Sequence, residues 1–484
     1  MNIGDQSWPD PQGAARRVRD MQVKLHHWAV SDADRRFDDV FNLVSHPDFL
    51  AVAWNRVRGN KGARTAGVDR VIPASIAEDD RVEEFLEQVR GLLRSRTFAP
   101  LPVRERLIPK PNSSKLRRLG ILTAMDRVVQ ASLLLVLEPI FEADFKPVSY
   151  GFRPGRRAQD AIAEIHALGS RGYLWVFEAD IAACFDELTH SAVMDRVRRR
   201  IGDKRALSLI KAFLTAGVMS TDGKVRDSGA GTPQGGIISP LLANIALSVL
   251  DEHFCAKWDA HSTPYRREVH RKRGGATYRI VRYADDFVIM VAGTRAHAEA
   301  LWTETAEVIA PLGLRLSTEK TSVCHLDEGF DFLGFRIQRH RKKGSDKLTV
   351  YTYPSKKALL SITAKVRALT DKAQHHSLAD LLGRLNAVLR GWCGYFRHGV
   401  SNATFGYLDS YAWHRVTQWL LKRHKHLNWA ELYRRFLTGR PGHRPEADGL
   451  VMFDATTVPV TRYRWRATHI PTPWTSTTKP FVSA

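Results

Sequence analysis

Cysteine is scarce in this chain: four residues in 484, Cys184, Cys255, Cys324 and Cys393, with no C-x-x-C pair among them. That spacing argues against a disulfide scaffold and a cysteine-based zinc site, and it fits the reduced thiols of a cytosolic protein. Long apolar runs are missing too. The longest, ASLLLVLEPIF, is broken by Glu138 and Pro139 and falls short of a bilayer span, so no membrane partner is expected. The opening MNIGDQSWPDPQ lacks the basic-then-apolar order of a secretory signal. Acidic residues are outnumbered, 51 Asp plus Glu against 73 Lys plus Arg, for a net +22. A clustered surplus of that size points to a polyanionic partner, most often nucleic acid. The histidines of RHKHLNW have no partners at ligand spacing and read as basic surface.

The texture changes along the chain. Residues 1–80 are polar with amphipathic stretches and form an N-terminal extension. Residues 81–340 alternate helical patterns with short β-like runs such as YLWVFEADI and YRIVRYADDFVIMV, as in an α+β domain. A basic loop, QRHRKKGSDK, leads into a helical region over 341–435. There Leu378, Leu381, Leu382, Leu385, Leu389 and Trp392 recur at helical spacing behind a capping box of Ser377 and Asp380. Residues 436–484 form a basic tail rich in Pro, Thr and Arg, with Arg462, Arg464 and Arg466 suited to phosphates or to a solvated strand edge.

Two adjacent carboxylates, Asp285 and Asp286, interrupt the β-prone runs of RYADDFVIM. Asp-Asp inside a strand is unfavourable, so a tight hairpin turn is expected, its tip exposed. By itself that is an acidic turn. A second segment, FEADIAACFDEL, ends an apolar run on Asp180. A carboxylate at a strand end beside a carboxylate hairpin is a suitable ligand set for Mg²⁺. Two such ions, roughly 3.5–4 Å apart, can serve the attacking and leaving oxygens of a phosphoryl displacement, and they would offset the repulsion between the aspartates.

Two further segments are compatible with that site. GTPQGGIISPLLANIAL sets a Gly-rich loop before a helix, with Ser239 as N-cap and Pro240 at the first helical position. Gly235 and Gly236 allow close backbone approach, and Gln234 can donate and accept hydrogen bonds. RERLIPKPNSSKLRRLGI carries Lys110, Lys115, Arg117 and Arg118 around turn signals, on a basic hairpin that could cover a triphosphate or simply be solvated.

In order, GNKGARTAGVD, LIPKPNSSKLRRLGI, PIFEADFKPVSYGFRPGR, ADIAACFDEL, GTPQGGIISPLLANI, RYADDFVIM, LGLRLSTEKT, FLGFRI and LNAVLRGWCGYFR resemble the reverse transcriptases and maturases encoded by group II introns, over roughly residues 35–435. The resemblance implies an α+β right-hand polymerase of fingers, palm and thumb, in the bacterial cytoplasm and at the nucleoid. It implies Asp180, Asp285 and Asp286 as the catalytic, metal-binding carboxylates, with two Mg²⁺ ions. Phe185 matches the aromatic that excludes a 2′-hydroxyl, and Gln234 falls at the base-pair contact. Lys110 and Arg117 match residues touching the incoming triphosphate, with Arg118 a rival one position on. Lys320 matches the palm lysine that protonates the leaving pyrophosphate. The implied partners are group II intron RNA, an RNA template with a DNA primer, deoxynucleoside triphosphates and target DNA.

The chain departs from the family at Ala182-Ala183, where Lys-Gly is frequent, and at Met125, where Lys is common. The tail has no cysteine, unlike relatives with an HNH endonuclease, so second-strand nicking is not expected. Maturase activity requires a broad basic surface. Arg266, Arg267, Arg271, Lys272 and Arg273 of the loop PYRREVHRKRGG, with Lys422 and Arg423, are the candidate RNA contacts. Trp392, Tyr395 and Phe396 are expected in the thumb core, at least two of them. A splicing-only factor with a vestigial polymerase, or a reverse transcriptase adopted for host defence, are the alternatives.

Overall fold

The computed structural model describes residues 8–78, 80–109, 116–226, 229–371, 377–437, 443–467 and 469–475. The chain divides into two compact units. One comprises Met1–Arg157, Phe177–Val323 and Ala467–Ala484; the other comprises Ala158–Val176 and Cys324–Arg466.

In the first unit, helix Pro11–Ser31 starts where Asp10 accepts hydrogen bonds from the N–H groups of Gln12 and Gly13, with Pro11 preset for the first turn. It packs against Pro47–Gly59 and against Ala124–Glu142. The last is the ASLLLVLEPIF run, helical and buried on nearly every face, so its apolar length serves a core. Pro139 inside it has no N–H to give Leu135, four residues back. The buried amide of Gln22 donates to that Leu135 carbonyl instead, at 2.7 Å, and His26 Nδ1 donates to the Pro139 carbonyl at 2.9 Å.

A four-stranded sheet holds the acidic segments, in the order Thr277–Tyr283, Asp286–Ala292, Trp175–Asp180, Ser322–His325. The first two strands form an antiparallel hairpin with Tyr283 opposite Asp286, leaving Ala284 and Asp285 as its two-residue turn. Residues Phe287–Val291 are almost wholly buried, as a strand covered on both faces must be. Helix Ser239–Asp259 packs across Thr277–Tyr283. A second sheet runs Leu116–Ile121, Val103–Pro109, Val218–Met219, Val225–Arg226.

The second unit contains helices Ala158–Gly169, Lys356–Asp371, Leu378–Phe396, Asn402–Arg423 and Trp429–Phe436, with a three-stranded sheet of Phe330–Phe332, Phe335–Arg341 and Leu348–Pro354. The leucine ladder from Leu378 to Leu389 is buried as its spacing requires, and Ser377 Oγ accepts from the Asp380 N–H at 3.1 Å. Phe396 is buried; Trp392 and Tyr395 pack their rings on it, and the Tyr395 hydroxyl donates to the Leu333 carbonyl at 2.9 Å. Two readings change here. The basic stretch beginning at Gln338 is largely a β-hairpin, because Gln338–Arg341 pair with Leu348–Tyr351. PYRREVHRK is a helix, Pro264–Lys272, capped by Thr263 and lacking any internal Gly.

Candidate active site

The hairpin turn is built from beneath. Ala284 sits at φ 59°, in the left-handed region that a side-chain-bearing residue enters at a cost. What holds it there is Arg282, fully buried. Its guanidinium donates to both oxygens of Asp251 (2.9 and 2.5 Å), to Asn244 Oδ1 (2.9 Å), to Ser149 Oγ (2.8 Å) and to the Ala284 carbonyl itself (2.9 Å). The neighbouring loop is fastened to the same strand, since the Tyr150 N–H donates to the Arg282 carbonyl at 2.8 Å. Gly151 lies so close that a Cβ on it would stand 2.4 Å from the Ala284 nitrogen. No motif assigns a role to Arg282, Asp251 or Asn244; the visible signal was an arginine directly after the buried Ile280-Val281 pair of its strand.

Asp180 ends its strand as expected, half-buried. Its carbonyl accepts from the Ser317 N–H at 2.8 Å, which brings the turn carrying Lys320 alongside. Lys320 Nζ then donates to Asp180 Oδ2 at 2.6 Å. Asp286 is exposed and Asp285 half-buried, rather than both lying at an open tip. Asp286 keeps an open edge to solvent, but the protein crowded around the turn withholds hydration from its carboxyl and, with Asp285 and Asp180 nearby, pushes it up to about 6, against the pull of Lys320 and Arg117. Asp285 is raised too, by burial and then by Asp180, with Arg117 and Lys320 again opposing. Three carboxylates and two cations therefore share one electrostatic neighbourhood. Behind them, burial and then Asp285 push the Cys184 thiol up to about 12, which leaves it inert.

Arg117, not its neighbour Arg118, faces the acidic site. The register places Arg117 opposite Ile108 and Arg118 opposite Leu107, so they point to opposite faces, and Arg118 turns to Glu105 at 3.5 Å. Lys110 and Lys115 lie outside the described residues. Phe185 is half-buried in the short helix Cys184–Glu187. Ala183 caps it at φ 43°, a left-handed position that glycine adopts without steric cost. The Phe185 carbonyl accepts from the Thr232 N–H at 2.6 Å, which ties it to the loop bearing Gln234. The Gln234 carbonyl accepts from the Gly120 N–H at 2.6 Å, so the loop also clasps the strand of Arg117. A Cβ on Gly235 would meet the Gly120 carbonyl oxygen at 2.5 Å. Gln130, also missed, accepts from the N–H of Ile237 at 2.8 Å. Ser239 is not the cap: the helix begins on it, with Ile238 before it, because its hydroxyl turns back to the Pro233 carbonyl at 3.0 Å.

The oxygen donors and their charge fit a hard divalent cation. Among the described residues, though, no three His, Cys, Asp or Glu side chains close on one point in ion-holding geometry. The ammonium of Lys320 stands against Asp180 instead. Of the basic candidates, Arg266, Arg267, Arg271 and Lys272 lie on a helix without one buried residue, and Arg273 follows it. Arg267 lies 4.1 Å over the Trp258 ring, Arg271 donates to Thr277 Oγ1 at 3.1 Å, and Lys272 pairs with Glu268 at 2.8 Å. Lys422 and Arg423 are exposed at the end of Asn402–Arg423. None of the described helices is long and apolar enough to cross a membrane.

A palm-like sheet with this carboxylate hairpin, beside a basic strand pair and ahead of a helical unit, defines a reverse transcriptase. Residues 108–337 match the reverse transcriptase (RNA-dependent DNA polymerase) family model, and residues 359–437 match the group II intron maturase-specific domain. Protein YkfC of Escherichia coli is 37% identical over 70% of this chain and 93% of its own length. The group II intron-encoded protein LtrA of Lactococcus lactis is 32% identical over 65% of this chain and 59% of its own. A nuclear intron maturase 2 of Arabidopsis thaliana is 27% identical over 43% of this chain and 37% of its own. The matched stretch thus spans nearly all of the first relative and well under two thirds of the other two. A solved telomerase from Candida albicans shares 13% identity over 71% of this chain and 65% of that chain; its TM-score, 0.37, is too low to bear on the reading. The chain belongs to the group II intron-encoded reverse transcriptase and maturase family.

Proposed function

We propose that the chain extends a DNA primer along an RNA template and also binds the folded group II intron RNA that encodes it, assisting splicing and entry into target DNA. The observation that carries the polymerase reading is that Asp285 and Asp286, on the hairpin, share one electrostatic neighbourhood with Asp180, Arg117 and Lys320, Lys320 being bonded to Asp180. In this reading two Mg²⁺ ions, when bound, supply positive charge to the attacking hydroxyl and the leaving pyrophosphate. The chain's own groups do the rest. Arg117, with Lys110, binds the triphosphate, and Phe185 closes the room a 2′-hydroxyl would need. Gln234 and the glycines after it meet the nascent pair. Lys320 leaves Asp180 to hand a proton to the departing pyrophosphate. Residues 81–340 would be fingers and palm, 341–435 thumb and maturase region, 1–80 an extension and 436–484 a basic tail. The basic helix Pro264–Lys272, with Lys422 and Arg423, would contact intron RNA, and the protein would work in the bacterial cytoplasm at the nucleoid.

The test is primer extension on an RNA template with Mg²⁺, beside Asp285→Asn, which removes one ligand charge at nearly constant shape. Loss of about 100-fold or more in the variant is the expected result. A splicing-only role is the second reading, favoured by the match of residues 359–437 to the maturase-specific domain, which would serve splicing without synthesis. A folded, RNA-bound wild type without extension would establish it.

A further inference from the structure

The second unit contains a cavity of about 700 Å³ that the polymerase reading does not use. It lies among helix Ala158–Gly169, strand Leu348–Pro354 and the tail segment around residues 460–465. That segment is fastened at both ends. At one end the Thr461 N–H donates to the Arg397 carbonyl at 3.0 Å, and His398 Nδ1 donates to the Thr461 carbonyl at 3.1 Å. At the other, Trp465 Nε1 donates to Glu164 at 2.6 Å, and Arg466 holds Asp160 in two bonds of 2.8 and 2.6 Å. Arg462, Tyr463 and Arg464 bridge the two anchors and line the cavity.

The electrostatics are one-sided. Glu164 and Asp160 are spent on the anchors, whereas Arg462 and Arg464 have no hydrogen-bond or ion-pair partner among the described residues. A third arginine, Arg171, lies 4.4 Å from the centre of the Trp465 ring, and Trp465 itself is 37% exposed. The field acts inside the cavity as well: burial and then Arg462 lower the pKa of His166. Part of the lining is apolar, with the buried Ile162 and Val350 beside Ala163. Partnerless guanidinium groups beside an apolar lining and the partly exposed Trp465 ring match a planar base joined to phosphate. The volume also falls in the usual range for a small-molecule pocket.

We propose that this cavity is a second nucleotide site, which takes an unpaired nucleotide with Arg462 and Arg464 on its flanking phosphates. The chemistry is shared by a nucleotide within a single strand and by a free mononucleotide. The experiment uses the full chain, a five-nucleotide RNA carrying 4-thiouridine and its DNA counterpart, with ultraviolet crosslinking and peptide mapping. The expected crosslink falls within residues 460–466. Its salt dependence should flatten by about 1.4 in logarithmic slope in the double variant Arg462→Ala and Arg464→Ala, two contacts at about 0.7 each. Both arginines are exposed and have no bonded partner among the described residues, so the circular dichroism spectrum and urea midpoint of the double variant should match the wild type, which serves as the folding control. Displacement by adenosine monophosphate would assign the site to a free nucleotide, and resistance to it would assign the site to a strand. Crosslinks confined to other peptides, or an unchanged slope in the double variant, would overturn the proposal. Because the readout is position and not synthesis, it stands or falls apart from the polymerase reading.

Discussion

Replacing Arg282 by Met keeps most of the volume and removes five hydrogen bonds, two of them to a fully buried carboxylate. Removing one partner of a buried pair costs about 3–5 kcal/mol, because Asp251 is left charged and dry. The second replacement, Asp251→Leu, removes that charge, and an apolar pair of similar volume is often neutral, so stability should largely return. Synthesis should not return with it. The Ala284 carbonyl would still lack the donor that holds the turn at φ 59°, and Asp285 and Asp286 flank that peptide. Urea denaturation followed by circular dichroism measures the first quantity; single-turnover primer extension measures the second. The single variant should fail in both, and the double variant should recover stability while extension stays about 100-fold down, as for a site displaced by an ångström. A double variant that regains both would refute the view that Arg282 positions the hairpin, and would leave it a packing residue.

Three smaller tests follow from the same geometry. Phe185→Ala should raise ribonucleotide incorporation relative to deoxyribonucleotide incorporation, and an unchanged ratio would remove Phe185 from sugar selection. Ala183→Gly should stabilise the protein by about 0.5–1 kcal/mol, because glycine occupies the left-handed region without the Cβ clash; an unchanged urea midpoint would argue against the φ of 43°. Glu138 is held at about 7 by burial, with Glu142 adding to the rise and Arg56 opposing it. A carboxyl raised on folding favours the native state while protonated, so its contribution is full below about 4.5 and lost as pH rises through about 7. Glu138→Gln should therefore flatten the fall in stability between those values, as thermal melts across pH would record.

The parts of the site that form from consecutive residues were legible in the sequence. The turn at Ala284-Asp285 and the strand ending on Asp180 follow from hydrophobic patterning and the Asp-Asp pair, and the leucine ladder after Ser377 from its period. What stayed hidden depends on residues far apart in the chain. Arg282 finds Asp251 and Ser149 only after three segments have packed, and no local rule buries a charged residue inside a strand. The choice between Arg117 and Arg118 turned on strand register, which a one-residue slip reverses. PYRREVHRK looked like a loop because its charges cannot be buried; as a helix it still buries none of them. Arg466 looked like a phosphate ligand and is instead committed to Asp160.

The bond between Gln22 and Leu135 spans 113 residues of sequence. A ribosome adding about 5–20 residues per second makes the amide roughly 6–23 s before the carbonyl it serves. For most of that interval helix Pro11–Ser31 has only one of its two packing partners, Pro47–Gly59, and the part of its apolar stripe that faces Ala124–Glu142 must wait uncovered. When Ala124–Glu142 emerges, its Leu135 carbonyl meets a donor already synthesised and in place. The proline that would break this helix in isolation thus becomes admissible late in translation, by way of a residue placed near the start of the chain.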